Sequence, residues 1–303
     1  MTERELNLLL LSSSRVGGGG YLDSARELIG EMFADCRRIL FIPFAGVTIS
    51  HAEYGQQVRA ALPALAKRMQ MLNLDDDGPE ALAACDGVMV GGGNTFALLD
   101  RLYRHALVGE LRAAIKGGVP YVGWSAGSNI AGPTIRTTND MPIIEPPSLA
   151  ALNLVPFQLN PHYTRFVPAN FHGETRRERL AEFMVANPDS RVLALPEGCG
   201  LRVRGTEVEV VGDFAALELV ADGQFNILAI GGQLQCRKVA DHLNFGAPHP
   251  QTTALGQRQH PAVRVGDHEL RQPFALGFTM EVGRDKAGVV GVELEGHQIQ
   301  RRQ

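Results

Sequence analysis

The chain has 303 residues, 45% of them hydrophobic and 20% charged, with a formal net charge of −4. That length allows one large α/β domain or an ordinary domain with an appendage, and the apolar content allows a substantial core. The acidic balance excludes a basic footprint for nucleic acid, so a small-molecule or peptide substrate is expected.

The apolar run Leu8-Leu9-Leu10-Leu11 is too short to span a membrane and follows Glu3, Arg4 and Glu5 instead of a basic segment. It reads as a first buried strand over 6–11, and the expected location is cytoplasmic with no membrane partner. Cys36, Cys85, Cys199 and Cys236 lack C-x-x-C spacing, which suits reduced core thiols. The loop after the strand carries Gly17 to Gly20, yet no Lys-Ser/Thr follows and no G-x-G-x-x-G opens a helix, so a surface loop is expected. Asp23 or Ser24 caps a helix to about residue 35, a strand covers 39–42, and Ser50 caps a helix through about residue 69. Strands at 71–74 and 87–90, helices at 95–105 and 109–116, and a strand at 119–124 continue the alternation. Repeated βα units with continuously apolar strands predict a parallel sheet covered on both faces.

The last of these strands ends in Gly123-Trp124-Ser125-Ala126-Gly127, a G-x-S-x-G pattern that breaks into helix-compatible residues 126–131. The pattern reads as a nucleophile elbow: glycines on either side let the backbone turn sharply, which exposes Ser125 and points the Ala126 N–H at whatever Ser125 attacks. With 34 glycines in the chain a chance match is not rare, so the remaining segments must decide. Gly91-Gly92-Gly93-Asn94-Thr95-Phe96 closes the preceding strand on the same sheet edge, which makes the Gly92 N–H a candidate second oxyanion donor beside Ala126, the other reading being a tight turn that needs glycine for its geometry alone.

Beyond the elbow, residues 133–142 form a polar loop. A strand over 155–159 leads into Asn160-Pro161-His162, and a histidine just past a strand end is placed to act as a base. A charged amphipathic helix runs from 173 to about 186, and a strand over 192–195 closes on Pro196 and Glu197, an acid in the position of an orienting carboxylate. A hairpin over 201–211 and strands at 216–220 and 225–230 end the domain. The character changes from about residue 231. Residues 1–235 are expected to form the catalytic domain and 236–303 a β-rich C-terminal extension, with β-like pieces at 263–265, 274–278 and 289–294. No function is assigned to the extension, and its five histidines are too widely spaced for a metal motif.

The order serine, histidine, acid differs from the serine, acid, histidine of α/β-hydrolases. Glutamine amidotransferases share the elbow but use cysteine and place an acid two residues after the histidine, where this chain has Thr164. Over residues 6 to about 200 the chain instead resembles the α-aspartyl dipeptidases of serine peptidase family S51. The resemblance rests on Phe41-Ile42-Pro43-Phe44-Ala45-Gly46-Val47-Thr48, the Val90 to Phe96 segment, the elbow, 133–142, Asn160-Pro161-His162, Gly173-Glu174-Thr175-Arg176 and Leu195-Pro196-Glu197-Gly198. It implies a flavodoxin-like, class I glutamine amidotransferase-like α/β sandwich that hydrolyses Asp-Xaa dipeptides without metal or cofactor. It further implies Ser125 as nucleophile, His162 as general base and acid, and Glu197 as the orienting acid, with Asp140 the alternative. Glu197 is favoured because it follows a strand. Arg176 would pair with the substrate's aspartate carboxylate, and Asn94 and Arg136 fall at further substrate-binding positions. Two other readings stand beside this one, a cyanophycinase-like enzyme cleaving β-aspartyl-arginine polymer and a non-catalytic binding protein on the same fold. Monomer and homodimer are both open.

Overall fold

A computed structural model describes residues 5–73, 75–76, 78–219 and 224–235. The expectations for the extension at 236–303, and hence for the domain boundary before it, lie outside the described residues.

The first half of the chain lays down β1 (Asn7–Leu11), α1 (Arg26–Met32), β2 (Ile39–Ile42), α2 (His51–Ala61), β3 (Met69–Met71), α3 (Gly78–Ala83), β4 (Gly87–Val90), α4 (Thr95–Arg104), α5 (Leu107–Lys116), β5 (Tyr121–Trp124) and the single turn α6 (Ala126–Asn129). Its strands pair in parallel in the order β1-β5-β4-β2-β3. The period of two decides which core each residue enters. Leu8 and Leu10 of β1 pack with Leu98, Leu102, Leu111 and Ile115 from α4 and α5. Leu9 and Leu11 pack on the opposite face with Ile29, Met32 and Val58 from α1 and α2. Burial on both faces explains why these strands are apolar throughout.

The second half adds β6 (Gln158–Tyr163), α7 (Arg176–Ala186), β7 (Val192–Pro196), β8 (Cys199–Arg204), β9 (Glu207–Gly212), β10 (Ala216–Leu219), β11 (Phe225–Leu228) and β12 (Gln233–Gln235). Here the arrangement departs from a purely parallel sheet. β8 joins β1 antiparallel and carries β9 and β12 with it, giving an eight-stranded mixed sheet, while β11-β10-β7-β6 form a separate four-stranded sheet. That second sheet buries Tyr163, Val192, Ala194, Leu217 and Leu219 against Leu180 and Met184 of α7.

Three local differences have clear causes. The helix expected over 50–69 keeps its cap, since Ser50 and Glu53 form a reciprocal capping box, but it stops at Ala61 because Leu62 precedes Pro63. Asp23 does not cap α1: its carboxylate is taken by the Gly20 N–H and by Arg26, and residues Asp23–Ala25 form a 3-10 turn. The strand expected over 155–159 runs instead over Gln158–Tyr163, which places His162 inside it. Among the described residues no helix is long and apolar enough to cross a membrane.

Candidate active site

β5 hands the chain to α6 through Ser125, whose backbone sits at φ 53, ψ −114, a conformation rarely held by a residue with a side chain. The flanking glycines make the turn possible by close approach. A Cβ on Gly127 would lie 2.2 Å from the Val90 carbonyl oxygen, and one on Gly123 would lie 2.5 Å from that of Gly127. The elbow is then pinned to β1: the Ser125 N–H donates to the Leu11 carbonyl at 3.1 Å, and the buried Ser128 hydroxyl reaches the same oxygen at 2.7 Å.

The other two members of the constellation come from the second sheet. β6 and β7 are parallel neighbours whose register slips between Asn160 and Tyr163, and His162 occupies the irregularity with φ 55. Its Nε2 lies 2.9 Å from Ser125 Oγ and its Nδ1 lies 3.1 Å from Glu197 Oε1. Glu197 follows directly on β7, whose Pro196 pairs with Tyr163, so the parallel register brings acid and imidazole together. A residue without a sequence signal fixes this junction. Ser12, fully buried at the end of β1, accepts the His162 N–H at 2.9 Å and donates to the Leu195 carbonyl at 2.8 Å.

Asp140 is held elsewhere. The Thr95 N–H and hydroxyl both donate to its Oδ2, at 2.7 and 2.5 Å, so it closes the first turn of α4 and makes no hydrogen bond to His162. The candidate acids therefore occupy different places, Glu197 on the imidazole and Asp140 on the helix end.

Gly92 lies against the elbow, where a Cβ would come within 2.9 Å of the Ser125 Cβ. Its carbonyl accepts the Tyr54 hydroxyl at 2.9 Å, and Trp124 Nε1 and the Tyr21 hydroxyl both donate to the same Tyr54 oxygen. Burial pushes both phenols above their usual range, so they stay protonated donors. Among the described residues, the N–H groups of Gly92 and Ala126 have no protein acceptor, which leaves both free for a ligand.

Asn94 caps α4, accepting the Ala97 N–H at 3.0 Å through Oδ1 and donating to the Met141 carbonyl at 2.8 Å through Nδ2. It lines the cleft with both polar ends engaged. Arg136 is exposed and lies outside the cleft lining. Arg176, the first residue of α7 after a Thr175–Glu178 capping box, is half-buried and donates to the His162 carbonyl. Burial lowers its pKa and the Arg179 charge adds to that, while the charges of Glu197 and Asp140 act in the opposite direction.

Above Ser125 opens a cleft of about 610 Å³, bounded by Gly92, Tyr54, His162 and the apolar Val47, Ile49 and Ile143. Among the described residues no cluster of histidine, cysteine and carboxylate groups could hold a metal, and Cys36, Cys85 and Cys199 are unbonded thiols.

The model of Peptidase family S51 matches residues 8–211. A protein named peptidase E from Shewanella denitrificans is 48% identical over 208 residues, covering 69% of this chain and 88% of the relative. Another peptidase E, from Shewanella sp. strain ANA-3, is 44% identical over 229 residues, covering 76% and 97%. A crystal structure from Listeria monocytogenes EGD-e, provisionally named a peptidase E protein, aligns with a TM-score of 0.52 at 25% identity, covering 69% of this chain and 99% of that one. A peptidase from an acI-B1 actinobacterium aligns with a TM-score of 0.59 at 19% identity, covering 77% and 98%, a likeness of fold.

Proposed function

The chain belongs to peptidase family S51, and on that premise we propose that this serine-type peptidase is a dipeptidase that hydrolyses Asp-Xaa through an aspartyl-enzyme. The observation that carries the reading is the imidazole of His162 in contact with Ser125 on one nitrogen and Glu197 on the other.

In this reading Ser125 Oγ attacks the peptide carbonyl carbon while His162 Nε2 takes its proton. Glu197 accepts from Nδ1, holding the tautomer that leaves Nε2 basic and stabilising the imidazolium once it forms. The carbonyl oxygen gathers negative charge and is met by the Gly92 and Ala126 N–H groups, each contributing roughly a hundredfold to a thousandfold in rate. Collapse breaks the C–N bond, and His162 gives its proton to the departing amine. Water then attacks the aspartyl ester, its proton passing to His162, and free aspartate leaves with Ser125 restored.

The preference for aspartate is assigned to Arg176. Its guanidinium spends one N–H on the His162 carbonyl and has further donors for a carboxylate. A neutral side chain in that position would leave a half-buried cation unpaired, which disfavours Asn-Xaa and Ala-Xaa. Catalysis in this scheme draws on no metal or cofactor, and the reduced thiols fit a cytoplasmic setting.

The test is release of free amino acid from Asp-Leu, Glu-Leu, Ala-Leu and N-acetyl-Asp-Leu. Hydrolysis confined to Asp-Leu is the expected result. Comparable hydrolysis of Ala-Leu would remove the aspartate specificity, and no hydrolysis of any by folded protein would remove the dipeptidase reading.

A further inference from the structure

A substrate with a free N-terminus carries its ammonium group on the carbon next to the carbonyl that Ser125 attacks. The acceptor for that group must therefore lie beside Ser125, on the substrate side of the imidazole. Glu197 is on the wrong side, in contact with Nδ1, while Ser125 faces Nε2.

Asp140 is on the right side. It lines the main cleft together with Ser125 and His162, and it also lines a small pocket of about 20 Å³ whose walls include Ser125, Asn129, Thr138 and His162. That volume holds one water-sized group. Its walls also include Ala126, whose N–H faces the oxyanion, and Thr95, whose two donors are spent on Asp140. Thr95 uses only Oδ2 of the carboxylate, and among the described residues Oδ1 has no hydrogen-bond partner and no cation in contact. Asn129 is 1% exposed and its Nδ2 is committed to the Leu159 carbonyl at 2.7 Å, so its Oδ1 is a buried acceptor without a partner. A buried acceptor without a partner is unfavourable, and a small group with several donors beside it would offset that. An ammonium group has the size, the charge and the three donors that this arrangement lacks.

We propose that the pocket between Ser125, Asn129 and Asp140 takes the free α-ammonium group of the substrate, with Asp140 as its counter-charge. This rests on the dipeptidase reading above and gives the second acid a task separate from that of Glu197. Asp140 selects the N-terminus, as Arg176 selects the side chain. Together they would confine the enzyme to the first residue of a chain.

The experiment is calorimetric binding to Ser125→Ala protein, comparing Asp-Leu with N-succinyl-leucine, the same molecule without its amino group. Asp-Leu is expected to bind at least about tenfold more tightly, the worth of a charge-assisted contact. Adding Asp140→Asn, which keeps an acceptor for Thr95, should bring that ratio close to one while leaving N-succinyl-leucine within about twofold. Equal weakening of both ligands, or an unchanged ratio, overturns the proposal and leaves Asp140 as a cap on α4. A second arm needs no change at Asp140: N-methyl-Asp-Leu should bind Ser125→Ala at least about tenfold more weakly than Asp-Leu because the pocket admits one water-sized group. Equal binding there overturns the proposal even if Asp140→Asn fails to fold. If Asp-Leu is neither bound nor cleaved, the dipeptidase reading falls and takes this inference with it, whereas binding with an unchanged ratio removes this inference alone.

Discussion

The hydroxyl of Ser12 holds the backbone of His162 from 150 positions away in the sequence, accepting its N–H at 2.9 Å while donating to the Leu195 carbonyl at 2.8 Å. One buried oxygen thus ties the end of β1 in the large sheet to both strands that carry the base and its acid. Ser12→Ala removes the partner of one buried carbonyl and one part-buried N–H, at a cost of about 1–3 kcal/mol by denaturant unfolding. The larger expected effect is on kcat, a fall of about tenfold with KM nearly unchanged, since a displaced base acts on the transition state. A stable variant with unaltered kcat would show that the tie does not position His162.

Glu197 and Asp140 are expected to separate in kinetics as they do in space. Glu197→Gln preserves shape but favours the wrong imidazole tautomer, and it is expected to lower kcat. Replacing a buried triad aspartate costs about ten-thousandfold, but Glu197 is 59% exposed and solvent screens its charge, so a loss of about tenfold to a thousandfold is expected. Asp140→Asn should act chiefly on KM for Asp-Leu. A larger kcat loss from Asp140→Asn than from Glu197→Gln would reverse the assignment.

Tyr54 does not touch the reacting atoms, yet its hydroxyl fixes the Gly92 carbonyl and with it the direction of the loop that carries the Gly92 N–H. Tyr54→Phe retains the ring packed edge-on against Phe41 at 5.2 Å and removes that tether together with the acceptor shared by Trp124 Nε1 and the Tyr21 hydroxyl. Part of one oxyanion donor's contribution should be lost, a fall in kcat of about tenfold. Unchanged kcat would mean that the loop holds its shape without the tyrosine.

Much of this was legible in the sequence because it depends on local rules. The continuous apolar runs gave β2 and β4 to the residue, and Ser50 before a helical pattern gave the cap of α2. The G-x-S-x-G pattern gave the elbow because close packing against Val90 admits only glycine. What the sequence did not reveal is non-local. Whether β6 and β7 extend the main sheet or form another depends on pairing partners, and periodicity contains no partner information. For the same reason His162 was expected just after a strand, whereas a register slip inside β6 turns it towards Ser125. The choice between Glu197 and Asp140 turned on contacts to His162 and Thr95, and the tasks of Ser12 and Tyr54 depend on residues far along the chain.

The thiols should be bystanders. Burial pushes Cys199 up to about 12 and Cys36 up to about 11, so neither forms appreciable thiolate at neutral pH. Iodoacetamide at pH 7.5 is expected to leave the peptides containing Cys36 and Cys199 unmodified and the activity intact. Loss of activity in step with alkylation of either residue would give a thiol a part in catalysis.

The proposed chemistry depends on Ser125 as the nucleophile, activated by His162. The most direct measurement is peptide mass mapping after treatment with a fluorophosphonate, with Asp-Leu hydrolysis followed in parallel. The expected result is one adduct on the peptide carrying Ser125, loss of activity in proportion to labelling, and neither effect in His162→Ala. Folded, active protein that takes up no label, or that stays active with Ser125 fully labelled, would contradict it.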